Sequence, residues 1–145
     1  MALVEKSVLI EYSAAQMYAL VDDVPAYPQF LPWCGGAEVL STEGNTKRAA
    51  ITIDFRGIKQ RFSTENRADP PTLIEMNLVD GPFRQLDGSW RFKPLGENAC
   101  KIEFRLHYEF SGRLLEMLVG PVFHYIANTF VEAFVKRAKQ VYGNP

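Results

Sequence analysis

The chain holds only two histidines and two cysteines in 145 residues. Cys34 and Cys100 fall at no spacing from His107 and His124 that a metal ion would use, and one disulfide would be a thin framework for a secreted domain. The sequence also has no G-x-S-x-G, no H-E-x-x-H and no phosphate-cradling glycine loop, so serine-hydrolase, zincin and nucleotide-binding chemistry have nothing to stand on. An excess of charge is missing too. Sixteen Lys and Arg against seventeen Asp and Glu leave a net charge of −1, which is no footprint for nucleic acid, DNA included, although a local basic patch stays open. No uncharged run reaches the roughly 20 residues of a membrane span. The opening MALVEKSVLIEY carries Glu5, Lys6 and Glu11, unlike a signal or transit peptide. There is no internal repeat and no low-complexity linker. These absences point to one domain, residues 1–145, with a core of ordinary size in a reduced cytoplasmic compartment.

What is present is a change of hydrophobic period along the chain. Val4 to Tyr12 reads as a strand, and Ser13 caps a short helix that should end promptly at Asp22 and Asp23, where the helix dipole disfavours acids. Residues 24–37 carry three prolines, a set of aromatics and no charge, so one or two turns and an irregular crossing are expected. That segment is either a plug for one end of the core or the rim of an apolar site. From 37 to 110 the period is two, in six strands joined by short turns. The last of them is the clearest: Ile102, Phe104, Leu106, Tyr108 and Phe110 alternate with Lys101, Glu103, Arg105, His107 and Glu109. Gly81 and Gly88 read as turn and close-approach glycines.

Ser111 to Tyr142 then carries apolar residues at helical spacing: Leu115, Val119, Val122, Phe123, Ile126, Phe130, Ala133, Phe134 and Val141. Ser111 is the expected cap, Gly143 the expected stop, and Gly120-Pro121 the expected kink or break. A second cluster, Leu114, Met117, Leu118, Pro121 and Tyr125, lies off the core stripe. A loop or second helix covers it, or it is a docking surface for a lipid or a protein. Short connections mean antiparallel neighbours, and a half-wet sheet must bury its other face on the one long amphipathic element. The expected class is α+β: a curved antiparallel sheet wrapped around a long C-terminal helix, with two short helical pieces after the first strand.

Two segments, Tyr27-Pro28-x-Phe30-Leu31-Pro32-Trp33-Cys34 and Gly81-Pro82-Phe83-x-x-Leu86-x-Gly88-x-Trp90-x-Phe92, together with Gly120-Pro121-Val122-Phe123, resemble a known family. It is the START-like (SRPBCC, helix-grip) family that joins coenzyme-Q-binding proteins to bacterial ribosome association toxins, also labelled oligoketide cyclase/lipid transport proteins. The resemblance runs from Val4 to Gly143. It implies an apolar tunnel between sheet and helix for a lipid-like molecule such as ubiquinone, with no cofactor required. A volume of roughly 300–1,000 Å³ is expected. The expected lining is Tyr27, Trp33, Phe55, Phe62, Met76, Trp90, Phe104, Tyr108, Phe123, Ile126, Phe130 and Phe134. Gln60, Thr64 and Asn66 share the parity of Phe62, so they either fix a ligand oxygen or lie beyond the core.

Three functions follow, in this order. The first is non-enzymatic carriage of ubiquinone or a related polyprenyl lipid in support of respiration, with peripheral contact at the inner membrane. The second is a toxin that binds the large ribosomal subunit and blocks subunit association. Its candidate contacts are Lys47, Arg48, Lys59, Arg61 and Arg67, plus Lys136, Arg137 and Lys139. The third is a polyketide aromatase/cyclase, ranked last because no Asp, Glu or His falls on the inward parity to act as acid or base.

Overall fold

The structure, a computed structural model, describes residues 2–145. Its elements are β1 (Ala2–Ile10), α1 (Ala14–Asp22), a 3-10 helix (Val24–Gln29), β2 (Cys34–Glu43), β3 (Thr46–Phe55), β4 (Ile58–Asp69), β5 (Leu73–Asp80), β6 (Phe83–Pro94), β7 (Cys100–Phe110) and α2 (Arg113–Tyr142). The seven strands form one antiparallel sheet in the order β1-β7-β6-β5-β4-β3-β2. Only β1 is out of sequence order, because α1 and the 3-10 helix carry the chain from one sheet edge to the other. β1 and β4 both reach α2 although β7, β6 and β5 lie between them, so the sheet curls around that helix. This is the helix-grip arrangement the alternation implied.

The alternation in β7 survives intact. Its five inward residues are all buried, while the alternating residues are half-buried or exposed. At the centre of the neighbouring strand, Gly88 lies opposite Leu106 on one side and Met76 on the other. A Cβ there would sit 2.7 Å from the Arg105 carbonyl oxygen, so glycine is what lets β6 and β7 approach. Gly81 has φ +151° and would place a Cβ 2.6 Å from Phe62 Cβ. Both expected glycine roles hold.

α1 begins on Ser13, whose side chain accepts from the Gln16 N–H at 3.1 Å while Gln16 Oε1 accepts from the Ser13 N–H at 2.9 Å. Gln16 thus closes a capping box. The helix stops at Asp22, whose carboxylate pairs with Lys47 at 2.9 Å.

Several boundaries differ from expectation. β1 runs two residues earlier than Val4–Tyr12, and β2 starts at Cys34 rather than Ala37, because the Trp33 carbonyl and Gly36 already meet β3. The N-cap of α2 is Gly112, not Ser111; its φ of +109° is open to glycine and strained for serine. Pro121 lies inside one continuous helix, not at a break. Val119, Val122 and Phe123 on either side of it are buried, so packing keeps both segments on the core. Val141 is exposed because α2 outruns the sheet; the last buried residue is Ala138, and Ala127 and Val131 complete the stripe. By length and composition α2 would be apolar enough to cross a membrane, but a third of its most apolar stretch is buried against the sheet.

Candidate functional site

Between α2 and the sheet lies an apolar cavity of about 60 Å³. This corrects the expected volume, which was several times larger. Interlocked rings take up the space: Trp90 meets Phe104 at 4.6 Å between centroids, Phe134 at 5.3 Å and Phe130 at 5.6 Å. Tyr27 meets Phe134 at 5.4 Å from the other side. Tilted and edge-to-face packing at these distances leaves little room for a preformed tunnel.

Eight of the twelve expected lining residues form its wall: Tyr27 and Trp33 from the segment before β2, Phe62, Met76 and Phe104 from the sheet, and Phe123, Ile126 and Phe130 from α2. The other four are elsewhere. Trp90 and Phe134 are fully buried behind the wall. Phe55 stacks on Tyr125 at 5.9 Å, with the Arg56 guanidinium over both rings. Tyr108 packs on Phe123 and turns its hydroxyl to His124 Nδ1 at 3.4 Å, away from the cavity. His124 is exposed on α2 and touches Tyr108 near the end of β7. Val24, Ile51, Ile53, Leu86, Leu106 and Ala127 also line the wall without having been singled out. Strand parity already faced four of them inward; Val24 and Ala127 gave no such signal.

The wall carries no Asp, Glu, His, Lys or Arg. Its polar groups are few. The Tyr27 hydroxyl donates to the Val21 carbonyl, and burial, followed by the nearby Asp22, pushes its pKa above the ordinary tyrosine value. It is a fixed neutral phenol. Thr64 and Asn66 reach the wall, whereas Gln60 does not. Thr64 Oγ1 donates to Asn66 Oδ1 at 2.7 Å. A bulge aims this pair: Ser63 pairs with Asp80 and Thr64 with Leu78, leaving Val79 as the extra residue. Trp90 Nε1 is buried without a partner among the described residues. Leaving such a donor unpaired costs about 1–3 kcal/mol.

Both cysteines are buried free thiols. Burial pushes Cys100 up to about 11 and raises Cys34 as well, so both stay protonated and unreactive at neutral pH. Among the described residues no group of three His, Cys, Asp or Glu could hold a metal.

Outside the cavity the expected docking cluster is uncovered. Leu114, Met117 and Leu118 are 69%, 73% and 56% exposed, and Pro121 and Tyr125 are exposed beside them. The alternative of a covering loop or second helix does not hold. Residues 24–37 serve as both plug and rim: Val24, Tyr27, Leu31 and Trp33 are buried, and Val24, Tyr27 and Trp33 also line the cavity wall.

Three of the eight cationic candidates have a carboxylate within 4 Å, and Lys139 is exposed without one among the described residues. Lys47 pairs with Asp22, Arg61 with Glu38 at 2.8 Å, and Lys136 lies 3.7 Å from Glu132. Arg137 lies over the Phe30 ring and donates to Gln29. Arg48, Lys59 and Arg67 are exposed but stand in register with Glu65, Asp54 and Glu75.

Comparison with known proteins follows the fold. The family model described as polyketide cyclase / dehydrase and lipid transport matches residues 10–135. A protein of Pseudomonas aeruginosa named ribosome association toxin RatA is 46% identical over 140 residues, covering 97% of each chain. The mitochondrial coenzyme Q-binding protein COQ10 homolog B of Xenopus laevis is 32% identical, over 95% of this chain and 58% of its own. A solved START superfamily protein from Mycobacterium smegmatis superposes with a TM-score of 0.75 at 22% identity, covering 96% of this chain and 98% of that one, a likeness of fold.

Proposed function

The chain belongs to the polyketide cyclase / dehydrase and lipid transport family, and from that premise we propose that it is a ribosome-directed protein that binds the large subunit and opposes subunit association. The observation that carries this reading is 46% identity, end to end, with a protein named ribosome association toxin, against 32% for the coenzyme Q-binding relative. It reverses the order that the sequence suggested. A cytoplasmic site of action goes with it.

We assign the contact to the α2 face rather than to the basic residues. Phosphate binding needs cations free to displace counterions, and most of those on the sheet face carboxylates across the ladder. The α2 cluster, by contrast, exposes three large aliphatic side chains in two helical turns, with none of the described residues covering them. Burying them against a partner supplies about 25 cal/mol per Å² of apolar surface. Wild-type protein is expected to co-sediment with isolated large subunits. Met117→Lys with Leu118→Glu is expected to weaken that binding at least about tenfold, the scale of losing a central apolar contact, with an unchanged melting temperature. Full co-sedimentation by the folded double variant would remove this face from the reading. Loss of vesicle binding in its place would assign the face to lipid.

A second reading, non-enzymatic binding of an apolar ligand, is favoured by the cavity itself. Its volume of about 60 Å³ is too small for ubiquinone, so a ligand of that size would have to displace wall side chains. A cyclase is supported least, since no acid or base lines the wall.

A further inference from the structure

We propose that the cavity selects a neutral apolar ligand bearing one hydrogen-bond acceptor, such as a ketone, quinone or ester oxygen. Asn66 is the donor that fixes that oxygen, and Thr64 holds Asn66 in place. The proposal rests on the ligand reading above and is independent of the ribosomal one.

Selection follows from the wall's inventory. The Tyr27 hydroxyl is spent on Val21, and Thr64 is buried and spends its proton on Asn66 Oδ1. With its oxygen taken, the Asn66 amide keeps an Nδ2 group with two N–H donors and no protein partner among the described residues. It stands on a wall otherwise dominated by aliphatic and aromatic side chains. Asn66 is half-buried, so water serves these donors until a ligand displaces it, and a ligand that does not pair them then forfeits a hydrogen bond. A carboxylate is disfavoured because no cation lines the wall to offset its desolvation. A plain alkane leaves the amide unpaired.

The geometry gives this anchor space to work. Asn66 stands opposite Met76 across the β4–β5 ladder, and Met76 is a flexible thioether that yields to a ligand more readily than a branched side chain. Phe130, on the facing helix, is only half-buried although five aromatic rings surround it. The 60 Å³ of open space is several times the roughly 10–15 Å³ that one water needs, enough for a small polar head while the tail displaces these two side chains.

The test compares three probes of equal chain length, 2-undecanone, undecane and undecanoate, by tryptophan fluorescence, with Trp33 on the wall as reporter. Wild type is expected to bind the ketone about five- to tenfold tighter than the alkane, the scale of one net hydrogen bond, and undecanoate most weakly. Asn66→Leu and the near-isosteric Asn66→Asp are expected to erase the ketone preference, and Thr64→Val to reduce it two- to threefold by about the loss of one orienting contact. Circular dichroism confirms the fold of each variant. Equal binding of ketone and alkane by wild type, or a preference retained by either Asn66 variant, overturns the anchor. Binding of none of the three overturns the ligand reading as well. In each case co-sedimentation with large subunits is expected to be the same for wild type and variants.

Discussion

Phe134→Ala is expected to lower the unfolding free energy by about 3–5 kcal/mol and the melting temperature by about 10 °C. Phe134 has no exposed surface and touches Tyr27, Phe30, Trp90 and Phe130. It thus joins three separate parts of the chain: the 3-10 segment, β6 and α2. Truncation removes the transfer free energy of the ring and leaves a void that these neighbours cannot fill, because each is pinned by other rings. Phe130→Ala is expected to cost about half as much, since Phe130 already borders open space and part of it is wet. Urea denaturation of the two variants checks the order. Equal losses would mean that the cavity edge is packed as tightly as the centre.

Gly88→Ala is expected to cost about 3 kcal/mol, the upper end of the range for overpacking. The added methyl would meet the Arg105 carbonyl oxygen at 2.7 Å, Leu106 Cδ1 at 3.0 Å and Met76 Cε at 3.2 Å. The methionine can swing away, but the carbonyl belongs to β7, which is paired on both sides by β1 and β6. Relief therefore requires the β6–β7 ladder to shift. Gly36→Ala is the control: its nearest neighbour would be Thr52 Oγ1 at 3.8 Å, and a change within about 0.5 kcal/mol is expected. A Gly88→Ala protein as stable as the Gly36→Ala protein would show that the sheet adjusts there at little cost.

The parts of this fold that could be read from sequence are those set by local period. Alternation in β7 located its buried face because each residue's side is fixed by the pleat. The same rule put Thr64 and Asn66 on the parity of Phe62, and both reach the wall. Gly88 was legible because a glycine inside an apolar strand has few other reasons to be there. The exposure of Leu114, Met117 and Leu118 followed from their angle on the helix, although whether anything covered them did not. What the sequence could not reveal depends on contacts between distant segments. The cavity volume is set by how Trp90, Phe104, Phe130 and Phe134 interdigitate, and no pattern of residue types specifies that. Lys47 looked like a free cation until the fold placed Asp22 beside it. Pro121 looked like a break because its local effect is visible in sequence, whereas the packing of Val119 and Phe123 that overrides it is not.

Light scattering during the joining of purified small and large ribosomal subunits tests the central claim most directly. The protein, added in excess over subunits, is expected to reduce the amplitude of 70S formation. The folded Met117→Lys, Leu118→Glu protein is expected to leave that amplitude at least mostly intact. An unchanged amplitude with folded wild-type protein would contradict the ribosome-directed function.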